Sequence, residues 1–410
     1  MLIIISIISI ILLIYSFFHI IRYFIFIKNI KKKDNNNHNE KIKYIIVIPC
    51  LNEQNTIVET VDYFKHIVPE YIPIVLVTSQ KEKNKPTTKD IINKNIINNY
   101  KNIYLYDYPY KDGIMADQLN YVLQNLSNLP QKYIDDNTYF CVYNADSRPD
   151  KKTFIELKNT ILNNNYPEFI QQYSYALSNY SKLNFLLKGF AIYQSNFELK
   201  CGLLNSYFNS KILHKHLVGH GLFVKINTLK SINGFNSTFW CEDIYMTGVA
   251  NNMNYKIQPI LSLENMETPD KLSKLIKQNS VWFGTASKNI KMYKQIFKEY
   301  NKKTITGIIG MLNELRSAIN WLLFPIIIII IMILSALYDI RLLFVFLATY
   351  SFYIFSYSIT TIKLINKLSN EKYKYSIVVF VETFIATLIS NIGPLYYLLF
   401  RPKEKYKTER

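Results

Sequence analysis

Apolar residues gather at the two ends of the chain and come as short, punctuated runs in its middle. Residues 1–21 (MLIIISIISIILLIYSFFHII) contain no Asp, Glu, Lys or Arg. About 20 apolar residues are enough for a helix to cross a bilayer core. The stretch has no basic leader and no small-residue cleavage site, so it reads as an uncleaved anchor over 1–27 rather than a signal peptide. Arg22, Lys28, Lys31, Lys32 and Lys33 all follow it, which places the next domain in the cytosol by the positive-inside rule. Three more apolar segments come late, at 321–337, 342–361 and 376–400, and together they predict a C-terminal transmembrane region over 321–400. Lys363, Lys367, Lys372 and Lys374 make the loop before the last segment cytosolic by the same rule. The basic tail 401–410 breaks the alternation unless Asn391–Pro394 bends the last segment. Glu382 in that segment is costly in lipid and is expected near the interface.

Between these zones the pattern changes. A polar basic linker is read over 28–41, and an interfacial helical connection over 301–320. The 42–300 stretch opens with Tyr44–Pro49 (YIIVIP), a continuous apolar run like a strand buried on both faces. Helical periodicity follows in 55–66. Further strands are predicted at 72–78, 103–106 and 138–143, with a helix at 116–125 and a loop or weak helix over the Lys/Asn-rich 81–101. Strands alternating with helices predict an α/β fold with a mostly parallel sheet covered on both faces. Ligands of such sheets bind at the carboxyl ends of strands. Asn52-Glu53, Thr78-Ser79 and Asn144–Asp146 sit at such ends. No glycine precedes Gly113, which removes the glycine-rich dinucleotide and P-loop motifs.

The chain has 410 residues and a net charge of +18. Ile, Lys, Asn and Tyr dominate it, residues with A/T-rich codons, and no nucleic-acid docking motif accompanies the charge. Nucleic acid is therefore not an expected partner, whereas anionic lipid and phosphate-bearing substrates suit the charge. Cys50, Cys141, Cys201 and Cys241 form no CxxC pair, which suits a reducing compartment.

Several short motifs follow one another in a definite order: Pro49-Cys50-Leu51-Asn52-Glu53, Ala116-Asp117-Gln118-Leu119-Asn120, Asn144-Ala145-Asp146-Ser147, Glu242-Asp243 and Gln278-Asn279-Ser280-Val281-Trp282. Gly219-His220-Gly221-Leu222-Phe223 and Ile232-Asn233-Gly234-Phe235 precede the Glu242-Asp243 pair. In this order and with flanking apolar segments, the set resembles a membrane-anchored family 2 glycosyltransferase of GT-A fold, inverting and related to the cellulose and hyaluronan synthase-like group. The resemblance covers roughly 42–290. It implies a nucleotide-sugar site from Pro49, Asn52, Glu53, Ser79 and Asn144, with a UDP-sugar favoured as donor. It implies a metal ligand in Asp146, where Mg²⁺ or Mn²⁺ would share oxygen ligands with donor phosphates. Asp243 matches the carboxylate that takes the acceptor proton, with Glu242 beside it. Gln278 and Trp282 match an acceptor-binding pair near the membrane.

Bland readings stand beside these. Asp146 also suits the N-cap of a helix over 147–157, Trp282 suits an interfacial anchor, and His220 reads as a hydrogen-bonded structural residue. Three departures from the family pattern are visible. Val77–Lys81 carries no carboxylate for the nucleotide base, Asn144 is neutral, and Val281 replaces a basic residue. The expected function is transfer of a sugar from a nucleotide donor to a lipid-linked or polysaccharide acceptor at the cytosolic membrane face. The alternative is a non-catalytic relative that binds a nucleotide or partner.

Overall fold

The computed structural model describes residues 2–30, 40–209 and 213–402. Most of the expected 28–41 linker and nearly all of the 401–410 tail lie outside the described residues.

Helix α1 (Leu2–Ile30) leads to β1 (Tyr44–Pro49), α2 (Ile57–Ile67), β2 (Ile74–Ser79), α3 (Thr88–Asn95), β3 (Ile103–Tyr108), α4 (Met115–Gln124) and β4 (Tyr139–Val142). Then come α5 (Thr153–Asn163), β5 (Phe169–Tyr175), α6 (Phe185–Phe197), a π-helical stretch at Glu198–Leu204 and the short α7 (Asn205–Tyr207). The domain closes with β6 (Leu222–Lys225), α8 (Ile226–Ser231), α9 (Glu242–Met253), β7 (Ile257–Asn265), α10 (Leu272–Ala286) and α11 (Asn289–Glu299). Among the described residues seven strands make one sheet in the order β3-β2-β1-β4-β6-β5-β7. All neighbours run parallel except β6, which is antiparallel to both β4 and β5.

Strand β1 shows why the apolar run is continuous. Ile45 and Val47 enter one core with Val75, Phe140 and Leu119. Tyr44, Ile46 and Ile48 enter another with Val61, Phe64 and Leu157. Side chains alternate between faces, and both faces are covered. The α3 segment is a firmer helix than its composition predicts. Thr87 Oγ1 accepts from the Asp90 amide at 3.2 Å, and Asp90 Oδ2 accepts from the Thr87 amide at 2.8 Å, a reciprocal cap that supplies the first turn.

The late apolar segments are longer than their apolar runs. One helix, α12 (Ile305–Tyr338), joins the expected 301–320 connection to the first of them; α13 (Ile340–Leu368), α14 (Ile377–Leu388) and α15 (Ile392–Phe400) follow. Among the described residues four stretches are long and apolar enough to cross a membrane: Leu2–Ile30, Ile305–Tyr338, Ile340–Leu368 and Ile377–Phe400. The last breaks between Leu388 and Ile392, ahead of the expected Asn391–Pro394 bend, most of which lies within α15. Beyond the break α15 lies on α10, where Gly393 sits so close to Asn279 that a Cβ would come within 2.4 Å of its Cβ. Glu382 is 3% exposed and accepts a 2.7 Å hydrogen bond from Tyr180 of the α/β domain. It faces protein rather than lipid.

Candidate active site

The carboxyl ends of β1, β2 and β4, the start of β6 and the start of α9 meet at one edge of the sheet. Glu242 and Asp243 open α9, placing both carboxylates in the positive first turn of a helix. Glu242 is 4% exposed and Asp243 half-buried. Asp243 is held on both sides: Oδ2 accepts from the Gly219 amide at 2.9 Å and Oδ1 from the Ile244 amide at 2.8 Å. Gly219 packs onto this pair, since a Cβ there would lie 3.0 Å from Glu242 Oε1 and 3.6 Å from Asp243 Oδ2. Two residues on, Gly221 takes φ +59°, and a Cβ would come within 2.7 Å of Gln172 O. Glycine is required at Gly221, and at Gly219 it leaves room for the Glu242 carboxylate.

The end of β4 turns tightly. The Asn144 amide donates to Ser147 Oγ at 3.0 Å, and the Ser147 amide returns to Asn144 O at 3.1 Å. Asn144 and Asp146 are half-buried on this turn. Helix α5 begins only at Thr153 with Lys152 as its cap residue, so the alternative reading of Asp146 as a helix cap is excluded. Thr60 Oγ1 donates to Ala145 O and pins the turn to α2. The turn therefore offers hard oxygen ligands. Among the described residues no three His, Cys, Asp or Glu side chains converge into a cage.

At the end of β1, Asn52 adopts φ +55° and its amide donates to Glu82 Oε1. Glu53 Oε2 accepts from Thr56 Oγ1 at 2.9 Å at the start of α2. Ser79 Oγ accepts from the Lys81 amide at 3.2 Å. Pro49, Asn52, Glu53 and Ser79 thus share one strand-end surface with Asn144. A carboxylate from the neighbouring strand stands beside the end of β2. Asp107 lies opposite Thr78 in the β2–β3 register, accepts from Thr78 Oγ1 at 2.8 Å and pairs with Lys89 at 2.7 Å. Sequence reasoning missed Asp107 and Glu82; the sole signal for Asp107 was its place at the end of the predicted 103–106 strand.

The Ala116–Asn120 motif is a brace. Asp117 Oδ2 accepts from the Ile114 amide at 2.7 Å. Gln118 Nε2 donates to Cys50 O at 3.3 Å, tying α4 to the end of β1. Asn120 bonds the backbone of Phe235 in both directions, at 2.7 and 2.8 Å.

Gln278 and Trp282 lie one turn apart on α10, both half-buried. Gln278 Oε1 is enclosed without a hydrogen-bond partner. The remaining face of α10 docks on the apolar helices: Phe283 meets Trp321 and Tyr397 with ring centroids 5.9 Å apart in each pair. The pair is thus set beside the apolar bundle, and no bond joins it to Asp146 or Asp243 among the described residues.

Three histidines line the run into β6, His214 and His216 buried and His220 half-buried. His220 Nδ1 meets Glu264 Oε2 at 2.9 Å. His214 and His216 stack at 5.6 Å, and Phe197 stacks on His216 at 4.8 Å. Burial, then His216 and Arg316, lowers the pKa of His214 to about 3. Glu314 lies 3.8 Å away, too far to hydrogen-bond.

No family model matches the chain, and no curated protein matches it by sequence. Among solved structures it resembles the mannosyltransferase PcManGT from Pyrobaculum calidifontis in complex with GDP-Man and Mn²⁺. Identity is 14%, the TM-score is 0.52, and the match covers 97% of this chain and 100% of that one. S. aureus TarS 1–349 in complex with UDP-GlcNAc matches at 12% identity and a TM-score of 0.46, covering 87% of this chain and 92% of that one. At such identities the likeness is one of fold. The chain has a glycosyltransferase fold, a mostly parallel sheet between helices with apolar helices before and after it.

Proposed function

We propose that this protein is a membrane-bound, inverting glycosyltransferase that moves a sugar from a nucleotide-sugar donor to a lipid-linked or polysaccharide acceptor at the cytosolic membrane face. The observation that carries the reading is Asp243, fixed by two backbone amides at the start of α9, on the same sheet edge as the Asn144–Asp146 turn. The matched mannosyltransferase, described with GDP-Man and Mn²⁺, supports the donor class.

Asp243 would take the proton of the acceptor hydroxyl as its oxygen bonds the anomeric carbon. The bond from that carbon to the diphosphate breaks, and its electron pair leaves on the diphosphate oxygen. Attack from the face opposite the leaving group inverts the centre. Both Asp243 oxygens already accept amide protons, so the carboxylate is held rigid for the transfer. Glu242, buried beside it, would border the acceptor. Asp146, with Asn144 near it, suits Mg²⁺ or Mn²⁺, which keep most of their coordination for water and phosphate. Such an ion would supply positive charge to the leaving diphosphate. Pro49, Asn52, Glu53 and Ser79 would line the nucleotide, with Asp107 as the nearby carboxylate for its base. Gln278 and Trp282 would hold the acceptor beside the apolar bundle.

The test is Asp243→Asn in the full-length protein. The variant is expected to lose transfer by about 10³-fold or more, the upper part of the range for a general base, while binding the donor as before. Turnover close to the parent's would end the assignment.

A further inference from the structure

His220 is built into the site more firmly than a loop histidine needs to be. It stands between Gly219, whose amide holds Asp243, and Gly221, whose left-handed backbone turns the chain into β6. It lies two residues beyond the Val142↔Leu222 pair, at the end of the sheet that carries the Asn144–Asp146 turn. Gln171 Nε2 donates to His220 O at 2.8 Å, so the backbone is fixed from β5. The ring is fixed from β7, where Glu264 is 1% exposed. That bond uses Nδ1. Nε2 meets no partner among the described residues, it is not sealed from solvent, and 12% of the side-chain surface stays open.

We propose that His220 is a cationic contact for the diphosphate of the nucleotide-sugar donor, oriented by Glu264 with Nε2–H as the donating group. The inference rests on the glycosyl-transfer reading above and deepens it. A carboxylate as buried as Glu264 needs a compensating charge, and the imidazolium supplies it. The groups facing the ring are acidic: Glu264 from β7, Glu198 from the π-helical stretch and Asp243 from α9. Burial alone would favour the neutral ring, but the charge and hydrogen bond of Glu264, then Glu198 and Asp243, outweigh it and raise the pKa above the ordinary value. Charge-assisted hydrogen bonds to phosphate oxygens are among the strong ones. A site that otherwise presents Asp146, Glu242 and Asp243 to a polyanionic donor gains most from such a cation.

The test is calorimetric binding of GDP and of UDP, in excess Mn²⁺, to the full-length protein from pH 6.5 to 8.5. A raised pKa means that the contact is made at low pH and lost as pH rises through the pKa of the bound ring. The parent should therefore bind more weakly toward high pH. His220→Gln should bind about tenfold more weakly at pH 6.5 and show only the pH dependence of the nucleotide itself. Glu264→Gln should move the parent's midpoint to lower pH, because the ring has lost its anion. If His220→Gln matches the parent in affinity and pH profile, the inference falls and the glycosyl-transfer reading stands. If His220→Gln does not fold, an unmoved midpoint in Glu264→Gln overturns the inference by itself. If the parent binds neither nucleotide, both fall together.

Discussion

A methyl group at Gly219 would press within 3.0 Å of Glu242 Oε1, and the amide of the same residue holds Asp243. Gly219→Ala should therefore cost activity far more than stability. A displacement near 1 Å is worth about 10²-fold in rate, whereas thermal unfolding should shift by only a few degrees; a steady-state assay beside a melting curve separates the two. His214 makes a second prediction at this scale. Its pKa near 3 means that the folded chain refuses a proton that the unfolded chain takes up below about 6.5. Stability is thus intact above that value and falls as pH drops from about 6.5 toward 3, by at most about 1.4 kcal/mol per unit from this group. His214→Phe should lose less melting temperature than the parent between pH 7 and pH 5. Motif residues were legible one by one, but their tasks were not. Nothing in the letters says that Gln118 ties α4 to β1, or that Glu264 waits for His220, because those partners are distant in sequence.

Strands β1 and β2 were legible because two covered faces demand unbroken apolar runs. Strand β5 (FIQQYSY) was not, although all seven of its residues are buried. Its polar side chains are satisfied inside: Gln172 Oε1 accepts from Tyr143 at 2.6 Å, and Gln172 Nε2 donates to Thr153 at 2.7 Å. Buried amides with partners do not follow a hydropathy pattern. The same limit hid the reach of α12. Its first turns carry Gly307 and Gly310, which pass so close to α9 that Cβ atoms would come within 2.6 Å of Asn252 Oδ1 and 2.8 Å of Asn251 Nδ2. The candidate base and the first late apolar helix are therefore packed as one unit. Gly310→Val should destabilise by about 1–3 kcal/mol, as overpacking does, and lower activity as α9 shifts. Leu312→Val, at a position 53% exposed, should do neither. Denaturant melts and initial rates of the two variants check this.

Across the whole molecule, α1 and the late helices bind the α/β domain by specific contacts. Arg22 Nη2 donates to Asn205 Oδ1 at 2.7 Å, and Tyr180 donates to Glu382. The four apolar stretches were legible from composition, since lipid needs only length and apolarity. The packing of α15 on α10 was not, because it depends on Gly284 and Gly393 meeting Tyr397 and Asn279. The proposed orientation puts Lys374 on the cytosolic side and Arg341 on the other. In intact cells a membrane-impermeant maleimide should label Arg341→Cys and leave Lys374→Cys unlabelled until lysis. The native cysteines offer little background, with Cys50, Cys141 and Cys241 buried and Cys201 half-buried.

The central claim is that Asp243 and the Asn144–Asp146 turn together transfer a sugar. It is tested most directly by incubating the purified full-length protein with GDP- and UDP-sugars, Mn²⁺ and a lipid extract, and following release of the nucleoside diphosphate. The account predicts release from one donor class that depends on the extract and disappears with EDTA and with Asp243→Asn. Release that survives both, or tight donor binding with no turnover in any extract or glycan acceptor, would contradict it.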